Sequence, residues 1–195
     1  MIVLRGGIEL DNGLELALGF LAAYSGSESD EPSRPASFDE SDLRLANRGG
    51  ARISAAEIAT ILDRRDRIEG ALREIPAEAS LTAAQSSIPW DQLTLLFDAF
   101  AGIRGVGFSK MTKALHKKRP ALIPMLDSVV QEYLATNAPG SFGGQATELV
   151  RGYKQDVDRN RAALRALKRE LASRDYRLTE VRILDLLIWS VSTAG

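Results

Sequence analysis

Apolar residues recur at helical spacing along nearly the whole chain, and no segment alternates apolar and polar residues as a half-buried strand does. A chain patterned this way buries its apolar stripes by packing helix on helix, so the expected fold class is all-α. The spacing predicts a first helix over Leu14 to Tyr24, after the Asp11-Asn12-Gly13 turn, followed by a mobile polar loop over 25–37. Ser37 with Glu40, and Ser54 with Glu57, have the S-x-x-E spacing of capping boxes and are expected to open helices near 38–48 and 55–73. Trp90 to Ala101 carries Leu93, Leu96, Phe97 and Phe100 on one face. After a glycine-containing loop at 139–144, helices are expected near 145–155, near 157–173 and from Thr179 to Ser192. The last is the most apolar stretch and reads as core. Its Asp185 falls on a narrow polar strip with Arg182 and Ser192, which predicts a surface ion pair rather than chemistry. Trp90 and Trp189 read as core or lobe-interface residues.

At 195 residues with 45% apolar content the chain is long enough for a real core, and it is read as one unit over 1–195. Absence of cysteine excludes disulfides, thiolate zinc sites, a cysteine nucleophile and a cysteine-held iron–sulfur cluster. The single histidine, His116, leaves little for a metal site and reads as a phosphate-side or solvent residue. No metal and no cofactor are expected. The opening MIVLRGGIELDNG has no signal-peptide pattern and no segment is apolar enough to cross a bilayer, which gives a cytoplasmic expectation.

The net charge of −1 conceals an asymmetry. Between Ala99 and Leu126 stand Arg104, Lys110, Lys113, Lys117, Lys118 and Arg119 with no acidic residue. A local positive window on an otherwise acidic chain points to one defined anionic contact, although a solvated charged face has the same composition.

That window contains GIRGVGFSKMTKALHKKRPALIPMLDSVVQEYL. Gly105 and Gly107 flank Val106 between a helix ending near Ala101 and one beginning near Phe108, with Ile103 and Val106 placed to plug the gap between them. The second helix opens with amides that lack intrahelical acceptors, so a phosphate there meets donors and the positive end of the dipole. Lys110, Lys113 and Lys117 share one face, while Phe108, Met111 and Leu115 share the other. The DNA-backbone contacts expected on this basis are Arg104, Gly105, Val106, Gly107, Ser109, Lys110 and Lys113, with DNA as the partner. A plain glycine turn between two core helices is the competing reading.

The stretch IRGVGFSKMTKALHKKRPALIPMLDSVV resembles the helix-hairpin-helix and aspartate signature of the endonuclease III and AlkA-type DNA glycosylase superfamily, with 22 positions from Gly105 to Asp127. DLRLANRGGARIS, the GVG-to-DSVV stretch and the terminal VRILDLLIW more closely resemble an uncharacterised bacterial family of unknown function. The superfamily resemblance implies a two-lobed helical fold that holds the DNA backbone at the hairpin over 90–135 and flips a damaged or modified base into a cleft. Asp127 would then stabilise positive charge developing on the sugar, or orient water. Ser109 occupies the position of the lysine nucleophile of strand-nicking members, so the implied activity is monofunctional hydrolysis. Met111 stands where a small residue is usual. Asp127 also suits a helix N-cap. A non-enzymatic DNA-binding or regulatory protein on the same scaffold, and a purely structural helical domain, remain open beside the glycosylase expectation.

Overall fold

Among residues 1–24, 29–135 and 139–193, those that the computed structural model describes, ten α-helices follow one short β-hairpin. The hairpin pairs β1 (Ile2–Val3) with β2 (Glu9–Leu10), antiparallel, with Ile2 opposite Leu10. Two-residue strands are too short to show alternation, so the sequence pattern does not reveal them. Gly6 and Gly7 turn the chain at φ 73° and 77°, which side chains rarely adopt. Asn160, far along the chain, brackets Val3 by accepting from its N–H (2.7 Å) and donating to its carbonyl (2.9 Å).

The helices are α1 (Gly13–Tyr24), α2 (Glu40–Arg48), α3 (Ala55–Leu62), α4 (Arg65–Arg73), α5 (Trp90–Asp98), α6 (Phe108–His116), α7 (Ser128–Leu134), α8 (Phe142–Arg159), α9 (Arg161–Ala172) and α10 (Glu180–Ser192). The all-α fold class expected from periodicity is the one observed. Their buried apolar faces join in one cluster, with Leu93, Leu96, Phe97 and Phe100 fully inside as their spacing predicts. α10 is capped by Thr179 and buried continuously from Val181 to Ile188, packing against α1, α7 and α9.

Several local expectations change. The capping box that opens α2 is formed by Asp39 and Asp42, not by Ser37 and Glu40. Glu40 instead pairs with Arg44 one turn on, at 2.6 Å. The Ser54–Glu57 box is present at the start of α3. The single helix expected over 55–73 is broken at Asp63 and Arg64, where the Arg64 guanidinium donates to the carbonyls of Ala99 (3.1 Å) and Ala101 (2.6 Å) beyond the end of α5. The glycine stretch before α8 is partly helix. Gly143 lies in its first turn, where a Cβ would collide with the Thr94 carbonyl of α5, and its N–H donates to Asp98 at 2.6 Å. That glycine lets α5 and α8 approach closely.

The loop expected to be mobile over 25–37 is firmly held where it is described, from Ser29 onward; positions 25–28 lie outside the described residues. The Asp30 N–H donates to the Arg177 carbonyl (2.8 Å) and the Ser33 N–H to the Lys117 carbonyl (2.9 Å). Asp185, expected on a surface strip, is 1% exposed. The stretch of α10 that carries it is buried on all sides, so its polar atoms bond inward.

Candidate functional site

A glycine turn between two helices forms where the sequence places it. α5 ends at Asp98, the chain turns through Gly102 (φ 72°) and Gly105 (φ 83°), and α6 begins at Phe108. Ile103 and Val106 are buried beneath the turn while Arg104, Gly105 and Gly107 are exposed. Gly107 is the N-cap of α6 and supplies no side-chain acceptor, so the first-turn amides of Phe108, Ser109 and Lys110 have no intrahelical partner. Met111 and Leu115 are fully buried and Phe108 stacks against Phe142 at 4.8 Å.

The cationic window is not the open field that its composition implies. Lys118 is fully buried, its ammonium 2.6 Å from Asp42 and bonded to the carbonyls of Ser33 and Arg34. Arg119 is buried too and donates to carbonyls of Ile75, Pro35 and Leu72, tying the end of α6 to α4. Lys117 serves Ser29 and Asp30. Lys110 binds both oxygens of Glu57 at 2.7 and 2.8 Å. Glu57 also stands directly against Gly105, where a Cβ would overlap its carboxylate. Glu57, supplied by α3, thus consumes the Lys110 cation. Arg104 remains exposed and Lys113 is half-buried, its ammonium 3.3 Å from the Gly49 carbonyl.

Asp127 is the N-cap of α7. One carboxylate oxygen accepts from the Val130 N–H (3.1 Å) and the other from the Trp189 indole N–H (2.7 Å). Trp189 is thus half-buried and oriented toward this cap, with Phe20 edge-on at 6.2 Å. Trp90 packs in the core with its indole N–H on the Gln85 carbonyl and Arg151 over its ring at 4.3 Å. The segment between α6 and α7 is fixed by three buried side chains: His116 to the Ile123 carbonyl, Thr112 to the Leu126 N–H, and Asp185 to the Met125 N–H.

His116 is not a solvent residue. It is fully buried, with Nδ1 2.7 Å from the Ile123 carbonyl and Nε2 3.2 Å from Asp30. A carbonyl can only accept, so Nδ1 carries a hydrogen. Burial works to raise the Asp30 carboxyl, but His116, Lys117 and Arg182 outweigh it and hold Asp30 well below the usual carboxylate range. Thr179, the cap of α10, donates its N–H and hydroxyl to the second Asp30 oxygen at 3.3 and 3.0 Å.

Asp185 behaves oppositely. Burial pushes its carboxyl up to about 6, against the pull of Arg182 and His116. The hydrogen bonds agree. Tyr153 has one hydroxyl hydrogen and lies 2.7 Å from the Val181 carbonyl and 2.9 Å from Asp185. With that hydrogen on Val181, a protonated Asp185 completes the chain by donating to the Tyr153 oxygen.

A cavity of about 610 Å³ opens beside this buried network. It lies between the 29–33 segment, α2 and α6, with Met125 and Arg182 also on its wall. Lys113 and His116 line it, whereas the hairpin glycines and Asp127 do not. Position in the sequence did not indicate it, because its residues come from separated elements. Among the described residues no group of three or more histidines and carboxylates is arranged to hold a metal ion, and no helix is long and apolar enough to cross a membrane.

Fold and site together define an all-α helical protein. A family model described as a family of unknown function, DUF6308, matches residues 21–192, and the chain belongs to that family. Comparisons with curated proteins and with solved structures found no match. The kinship to a family of unknown function is therefore shown, and none of the comparisons links the chain to DNA glycosylases.

Proposed function

We propose that the protein binds the phosphate backbone of DNA through the turn at 102–107 and the opening of α6. One observation carries this: Gly107 caps α6 without a side chain, so that donors and the positive helix end face outward beside the exposed Arg104. Contacts of this kind give affinity without sequence preference and weaken with salt. The Glu57 carboxylate beside Gly105 moderates the site, since a phosphate must lie on its Arg104 side or displace it from Lys110. The test is fluorescence anisotropy with short duplexes across a salt series. Binding that falls with salt and is weakened by Arg104→Glu is the expected result; no binding at low salt overturns the reading.

A second reading, hydrolysis of an N-glycosidic bond, is favoured by the partly exposed Asp127 carboxylate, which Val130 and Trp189 hold in one orientation. Both of its oxygens already accept hydrogen bonds, which supports the binding role ahead of the catalytic one. Incubation with duplexes bearing a panel of damaged bases, followed by alkali, tests it. Abasic product lost in Asp127→Asn is the supporting outcome, and no product on any substrate removes the reading.

A further inference from the structure

The cavity beside His116 has features of a ligand site that DNA-backbone binding does not use. Its volume of about 610 Å³ falls within the range of roughly 300–1,000 Å³ usual for small-molecule sites. Four full cations line it, Arg48, Lys113, Lys117 and Arg182, against two carboxylates, Glu31 and Asp42. Both carboxylates are already engaged by cations that do not line it. Asp42 pairs with the buried Lys118 at 2.6 Å, and Glu31 with Arg177 at 3.0 Å. Lys117 is in turn committed to Asp30. Arg182 likewise acts on the buried Asp30 and Asp185, so the positive excess of the wall rests on Arg48 and Lys113.

The rest of the lining is suited to a different part of a ligand. Leu45, Ala46, Ala114 and Met125 form an apolar side to the same space. Lys113 on α6 and Lys117 at its C-cap stand one helical turn apart, so both face the space that Ala114 helps to line. Charge on one side and apolar surface on the other is the arrangement that orients a small amphiphilic anion. The floor is rigid, because His116, Asp30 and Thr179 lock the end of α6 to the start of α10. A fixed floor lowers the cost of ordering groups around a ligand.

We propose that this cavity binds a small organic oxyanion, its phosphate or carboxylate held by Lys113 and Arg48 and its apolar part resting on Leu45, Ala114 and Met125. This inference does not depend on DNA binding. Phenyl phosphate and benzoate serve as probes for the two sources of the charge, in calorimetry and thermal shift on the full chain, with sodium chloride at matched ionic strength as the control. Saturable binding of at least one probe is expected, weakened about tenfold in Arg48→Ala/Lys113→Ala, as befits loss of charge-assisted hydrogen bonds, and unchanged in Arg104→Ala. Circular dichroism checks the fold of the double variant; should it be perturbed, Arg48→Ala, at an exposed position, is read alone and must weaken binding by itself. No saturation with either probe, or undiminished binding in a folded variant, overturns the proposal. Because Arg104→Ala affects only the hairpin, loss of DNA binding and loss of probe binding are separately visible.

Discussion

Replacing Glu57 with Gln removes one negative charge from the hairpin while keeping the carbonyl oxygen that accepts the Ser54 N–H at 2.7 Å, so the capping box of α3 is retained. The variant loses the ion pair with Lys110, whose side chain is 23% exposed. Pairs at this level of exposure contribute about 0–1 kcal/mol, so thermal stability is expected to fall by no more than about 4 °C for a chain of this size. DNA binding moves the other way. A carboxylate about 4 Å from a phosphate repels it by about 1 kcal/mol in a well-solvated setting, equivalent to roughly fivefold in affinity. Lys110 is released at the same time, and one more phosphate contact steepens the log–log salt dependence by about 0.9. Anisotropy titrations of wild type and Glu57→Gln against the same duplex, over a range of sodium chloride concentrations, read both quantities. Equal affinity and equal slope would refute the argument that phosphate sits at this hairpin, since the most direct electrostatic obstacle would have been removed without effect.

Gly143→Ala places a methyl group against the Thr94 carbonyl and Asp98, and is expected to cost about 1–3 kcal/mol in chemical denaturation; an unchanged midpoint would mean that α5 and α8 can separate freely. Asp42→Ala leaves the Lys118 ammonium buried without its carboxylate, at a cost of about 3–5 kcal/mol and a melting temperature lower by on the order of 10 °C. Asp185 keeps its proton in the folded state up to about 6, whereas the unfolded chain releases it near the ordinary 3.8. Stability from this group is therefore complete below that lower value and is lost as pH rises through about 6, by roughly 3 kcal/mol in all. The difference in unfolding free energy between wild type and Asp185→Asn, followed from pH 4 to 7, is expected to shift in the variant's favour; a flat difference would show that Asp185 titrates normally.

Local chemistry was legible in the residues. Apolar spacing located the helices, because a face buried by any partner needs the same period, and it placed Leu93, Leu96, Phe97 and Phe100 inside. Gly105 and Gly107 marked the hairpin, and Ser54 and Thr179 marked helix starts, since turns and caps are settled within a few residues. Asp127 was placed at the head of a helix for the same reason. The fate of charges was not legible. Six cations in one window read as a surface, yet Lys118 and Arg119 are buried and Lys110 and Lys117 are paired, because Asp42, Asp30 and Glu57 arrive from distant positions. His116 and Asp30 are 86 positions apart and meet only when the 29–33 segment docks beside α6. Helical period and end chemistry are properties of neighbouring residues and belong to the sequence alone. Which ionised group is neutralised, which is exposed and where a cavity opens depend on what the fold brings alongside, since electrostatic interactions act through space and not along the chain.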